Sequence, residues 1–168
     1  MISLGVDLDK HGTACAWGWR YPDGGEHWYD AADPSVGVRH RTGAPAMITE
    51  GAAQWYQHGR LHRLDGPAVE YANGDCEWWV NDCPHRVDGP AVVSKSRQEW
   101  WVDGERHRVD GPAVVTNHRT EYWIQGVPLG KTTASEVASG ERVVMSQAEI
   151  EARLGVKLVI TDLTGVSK

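Results

Sequence analysis

The chain has 168 residues, with nine Trp and five Tyr but no Phe, and a formal charge of −6 at pH 7. That length fits one domain, or one repeat array with a small appendage. The acidic balance counts against a general nucleic-acid-binding protein, which normally carries a basic patch; three cysteines without a repeated spacing count against a disulfide framework and favour free thiols in a reducing compartment.

In chain order, "MISLGVDLDKHG" reaches charge too early for a signal peptide, and no apolar run is long enough to span a bilayer. The expectation is a soluble, cytoplasmic chain with no membrane partner. "ISLGVDL" at Ile2–Leu8 reads as a strand. Residues 1–53 combine this strand with worn copies of a repeat that becomes clear only later. "YPDGGEHW" at Tyr21–Trp28 matches "YANGDCEW" at Tyr71–Trp78 in its Tyr, Gly and Trp, and "HRTGAPA" at His40–Ala46 begins 22 residues before His62. Atypical terminal units suit a stacked array, because they face water on one side.

Residues 54–127 hold the regular copies. The doublets Trp55-Tyr56, Trp78-Trp79, Trp100-Trp101 and Tyr122-Trp123 recur every 22 or 23 residues, and His62, His85 and His107 follow with the same spacing. "HRVDGPAVV" stands at both His85–Val93 and His107–Val115, with the near copy "HRLDGPAVE" at His62–Glu70. Each unit reads as two strands. "EWWVD" at Glu99–Asp103 is rich in strand-forming residues, Gly104–Pro112 supplies breakers and turn formers, and "AVVT" at Ala113–Thr116 is the second strand. "NHRT" turns the chain into the next unit. The fold expected is mainly β, an antiparallel meander.

"WWVDGERHRVDGPAVV" resembles a MORN-type repeat over roughly residues 12–127, and the His-Arg-x-Asp-Gly-Pro-Ala form is similar to repeats in phage and large-virus proteins. The chain departs from the usual MORN pattern by placing Arg-x-Asp before the Gly-Pro. The resemblance implies two-strand MORN-like repeats, and scaffolding, dimerisation or partner binding rather than catalysis; fold alone does not fix activity.

The recurring His, Arg and Asp invite a catalytic or metal reading, but equivalent residues two strands apart are separated by about 9.6 Å. His62, His85 and His107 therefore cannot share one zinc ion, whose nitrogen ligands lie about 2.0–2.1 Å away. No cofactor, metal or catalytic residue is assigned. Instead His62, Asp65, Gly66, His85, Asp88, Gly89, His107, Asp110 and Gly111 are assigned to structural turns. Gly89 and Gly111 would permit the turn, and Arg86 and Arg108 would pair with an Asp of the same or adjacent unit.

Adjacent strand residues point to opposite faces, so the doublets make two ring columns. We expect one column to be core and the other, Tyr56, Trp79, Trp101 and Trp123, to form an exposed partner-binding stripe flanked by Arg86 and Arg108. The alternative is that local twist or a bulge turns both columns inward. Residues 128–168 read as a cap. Ser146 and Glu149 form a capping box, Met145 and Ile150 a staple and Gly155 the stop of a helix at about 146–154, before a strand at about 156–163 that pairs with Ile2–Leu8.

The function expected is a non-enzymatic protein-binding repeat module; the viral resemblance makes it a phage-encoded inhibitor of a host or defence component, such as an anti-CRISPR-type protein, acting in the host cytoplasm. Homodimerisation through the sheet face or edge is a second partner expectation. The alternatives are a glycan-binding module on Trp platforms near Asn81 and Asp103, an enzyme without a recognisable motif, and an acidic DNA mimic. Nucleic-acid stacking on the rings is disfavoured by the charge.

Overall fold

A computed structural model describes residues 1–8, 11–31 and 37–133, together with Ala152 and Gly155. The fold is mainly β. One twelve-stranded antiparallel sheet runs from Ile2–Leu8 to Val127–Thr133, and its strand order follows the chain. The sheet crosses residue 53 without interruption, so worn and regular copies share one ladder. It also extends past residue 127, because Val127–Thr133 pairs with Arg119–Ile124. The turn between units is narrower than "NHRT": Arg119 already begins a strand. The expected helix at 146–154 and strand at 156–163 lie outside the described residues, apart from a helical Ala152 and Gly155 at φ 66°. Ile2–Leu8 pairs with Ala14–Arg20.

Within a unit the chain does more than form two strands. Cys76–Glu77 and Val92–Val93 pair in the main sheet, but the first strand stops at Trp78 and the chain makes a separate hairpin, Trp79–Val80 against Cys83–Pro84. Equivalent hairpins join Tyr56–Gln57 to Arg60–Leu61 and Trp101–Val102 to Glu105–Arg106. Thus "EWWVD" is broken at Trp100, and part of the stretch expected to be turn, Glu105–Arg106, is strand. The hairpin turns place two successive residues at positive φ, as two-residue turns matched to strand twist require: His58 and Gly59 (47° and 80°), Asn81 and Asp82 (52° and 65°), Asp103 and Gly104 (52° and 81°).

The break has a backbone cause. Trp78 N–H donates to the Ala91 carbonyl at 2.7 Å, while its own carbonyl accepts from His85 N–H at 3.1 Å. One residue thereby pins both ends of the corner between His85 and Ala91. Trp28, Trp55 and Trp100 do the same for their corners.

Units are joined by a second ladder. Arg63, Arg86 and Arg108 donate their N–H groups to the carbonyls of Trp79, Trp101 and Trp123 in the following unit, at 2.9–3.1 Å. Each unit is completed only by its neighbour, the condition that makes a stacked array cooperative. The core is thin. Ala46, Ala68, Ala91 and Ala113 are fully buried, joined by Val69, Val114, Trp28 and Leu129, and among the described residues no large side chain is wholly enclosed. Among the same residues no helix is long and apolar enough to cross a membrane.

Candidate functional site

The repeated corner accounts for its own letters one at a time. The Arg86 guanidinium lies 4.0 Å from the Trp78 ring centroid, Arg108 lies 4.0 Å from that of Trp100, and Arg63 lies 4.1 Å from that of Trp55. Each Arg Nε also donates to the Asp two residues on, at 3.0 Å for Asp65 and 2.8 Å for Asp88 and Asp110. One further nitrogen donates to the Pro carbonyl four residues on, at 3.1–3.3 Å. The cation is thus held between an indole face and its own loop.

Hydrogen bonding from the Arg, above all, holds the carboxyls of Asp65, Asp88 and Asp110 below their ordinary value of 3.8. The glycines serve this Arg and not an unusual φ. Gly66, Gly89 and Gly111 lie outside the left-handed region, but a Cβ there would stand 2.8, 3.0 and 3.1 Å from the Arg Cζ. Turn-permitting backbone freedom, expected for Gly89 and Gly111, is therefore replaced by close approach of a side chain.

The histidines are clasps between units. His85 Nδ1 accepts Asp103 N–H at 3.1 Å, and His107 Nδ1 accepts Gln125 N–H at 3.1 Å. Both donors are hairpin-turn residues of the next unit at positive φ. His62 contacts the Asn81 side chain at 3.0 Å.

The worn first copy keeps the scheme with altered parts. Arg41 lies 3.8 Å from the Trp28 centroid, but Gly43 stands where Asp would be, and Arg41 pairs with Asp7 of the first strand at 2.9 Å. His40 accepts His58 N–H at 3.2 Å. Burial, with the nearby His58, lowers the His40 pKa and favours the neutral ring that such acceptance requires.

The ring columns do not separate into core and surface. Trp55, Trp78, Trp100 and Tyr122 are half-buried, and so are Tyr56, Trp79, Trp101 and Trp123. In the second column the indole N–H of Trp79, Trp101 and Trp123 donates to Glu77, Glu99 and Glu121, at 2.9, 2.7 and 3.1 Å. Tyr56 makes the same i−2 contact with Gln54 through its hydroxyl, at 2.9 Å. Glu99 and Glu121 are buried, and Arg106 lies between them, 5.0 Å from the Trp101 ring and 5.1 Å from that of Trp123. The column expected to be an open stripe is engaged in an internal acid–indole–Arg network. Arg86 and Arg108 stack on the other column.

One letter of His-Arg-x-Asp-Gly-Pro-Ala has no such role. Leu64, Val87 and Val109 occupy the x position and are 80, 81 and 80 % exposed. Val87 and Val109 line one open groove between successive corners, together with Trp100 and Pro90. Beside them stand the exposed carboxylates of Asp65, Asp88 and Asp110. Sequence reasoning passed over this row because x is the one variable position of the motif. Its signal was the recurrence of an aliphatic residue between two charged ones.

Comparison of the chain with family models, with curated proteins and with solved structures gives no match in any of the three.

Proposed function

We propose that this chain is a non-enzymatic protein-binding repeat module that meets its partner along the corner edge. The observation that carries the reading is the row Leu64, Val87 and Val109, aliphatic and about four-fifths exposed in three successive copies of a corner whose other residues all have structural partners. Aligned exposed apolar residues with a polar rim mark interaction surfaces. The complementary surface is apolar with basic groups, set against Asp65, Asp88 and Asp110. The MORN-type resemblance supports binding over catalysis, and the similarity to viral repeats supports a host or defence component as partner. Glycan stacking gains less support, since guanidinium groups already lie on the Trp55, Trp78 and Trp100 rings.

The test compares wild type with Leu64→Ser/Val87→Ser/Val109→Ser. Side chains already in water should cost less than about 0.5 kcal/mol each, so melting should barely change while capture of a host protein, or self-association in sedimentation, is lost. A wild-type chain that captures nothing and stays monomeric, or a triple variant that binds equally well, overturns the reading.

A further inference from the structure

The clasp between the first two units differs from the others in chemistry. In the regular units the three facing positions are Val80, His85 and Asp103, then Val102, His107 and Gln125; between them and the first unit stand Gln57, His62 and Asn81. In the first unit the same positions hold Asp30, His40 and His58. Three backbone contacts fix their relation: His40 N–H to the Trp28 carbonyl, Asp30 N–H to the Val38 carbonyl at 2.8 Å, and His58 N–H to His40 Nδ1. His58 Nδ1 lies 3.0 Å from Asp30 Oδ2, the two imidazoles stack at 4.5 Å between centroids, and one ligand atom from each of the three residues lies within 4.8 Å of the other two.

We propose that Asp30, His40 and His58 form a three-ligand site for a divalent first-row transition ion, of the kind Zn²⁺ represents. Two imidazole nitrogens and a carboxylate oxygen are ligands such ions accept, and three protein ligands leave a position for water. A tetrahedral ion with ligands at about 2.0–2.1 Å sets those atoms about 3.4 Å apart. The Asp30–His58 pair is already near that spacing. His40 is buried and held by the backbone, whereas His58 is 74 % exposed and can turn to close the remaining gap. The ion competes with the His58 N–H bond for His40, which keeps its affinity below that of a dedicated four-ligand site. Its effect is to fasten the worn first copy, where Gly43 replaces the Asp of the regular corner, to the rest of the array.

The full chain, stripped with EDTA, is titrated with Zn²⁺ by calorimetry and followed in thermal melts; Co²⁺ is used in parallel for its visible absorption. His58→Asn is the main variant, because Asn81 occupies the equivalent turn position at φ 52° and the turn therefore accepts Asn. Asp30→Asn is the second. The wild-type midpoint should rise by about 5–10 °C at a hundredfold excess over Kd. Both variants should lose at least about tenfold in affinity and the four-coordinate Co²⁺ spectrum, while melting near wild type in EDTA. No response of the wild type to Zn²⁺ overturns the proposal. So does undiminished affinity in both variants, which would put the ion on other histidines or on Cys15, Cys76 or Cys83. Calorimetric affinity decides the matter even where a variant melts lower.

Discussion

Replacing Trp101 by Phe removes one hydrogen-bond donor and leaves an aromatic ring in place. The donor serves Glu99, whose side chain is only 4 % exposed and whose Oε2 accepts the indole N–H at 2.7 Å. Water cannot easily take over at that depth. A hydrogen bond to a charged group contributes about 1.5–3 kcal/mol; Arg97 and Arg106 still face the carboxylate, so we expect about 2 kcal/mol. That lowers the melting midpoint by about 4–8 °C for a domain of this size. Trp79→Phe is the matched control. Glu77 is only half-buried and also accepts from the Tyr71 hydroxyl at 3.2 Å, so its cost should stay below about 1 kcal/mol. Both variants lose similar ring area, and their difference reads the buried carboxylate. Chemical denaturation followed by far-ultraviolet circular dichroism gives the two free energies. Equal values within about 0.5 kcal/mol would refute the view that the second ring column is engaged in an internal acidic network.

His107→Ala should cost no more than about 1 kcal/mol, since Gln125 is exposed and its N–H can turn to water, and partner capture should be unchanged; a folded variant that had lost all binding would place function in the histidine. Gly89→Val should cost more, about 1–3 kcal/mol, because a Cβ stands 3.0 Å from Arg86 Cζ and must push the guanidinium off Trp78; wild-type melting would contradict the close approach. The pH dependence follows from the lowered pKa values of Asp65, Asp88 and Asp110. A group lowered in the folded state stabilises fully above its ordinary value of 3.8 and loses that contribution as pH falls through the lower folded value. The midpoint gap between wild type and the triple Asp→Asn variant should therefore be present at neutral pH and close in acid, and a gap that widened there would contradict the ion pairs.

The period, the two main strands of each unit and the antiparallel meander were legible because they are written as spacing: doublets every 22 or 23 residues and an apolar residue directly after each Pro-Ala. The break at Trp100 was not legible. "EWWVD" favours strand throughout, and what stops it is tertiary, since Trp100 N–H and C=O pair with Ala113 and His107 in two separate segments. The small hairpins did leave a signal, Asp103-Gly104, but it was absorbed into the corner that follows. The crowding at Gly111 was not legible, because local sequence does not show that the Arg108 guanidinium folds back over it. His58 was missed for a similar cause. Its partners Asp30 and His40 lie 28 and 18 residues away, and only alignment with Asn81, Asp103 and Gln125 reveals that it stands in a clasp.

Identical copies are poor evidence that each copy acts, because a shared structural task preserves letters just as well. His, Arg, Asp, Gly, Pro and Ala all have such tasks in this array. The x position has none, so nothing in the fold demands that Leu64, Val87 and Val109 be apolar. Two repeats at about 9.6 Å each make their row about 19 Å long. Three aliphatic side chains of that reach fall short of the about 800 Å² that each partner gives to a standard interface. On the proposed reading the neighbouring carboxylates share the contact. A partner recognised in this way is selected by charge as much as by apolar fit, which is the division of labour expected when an apolar centre holds and a charged rim discriminates.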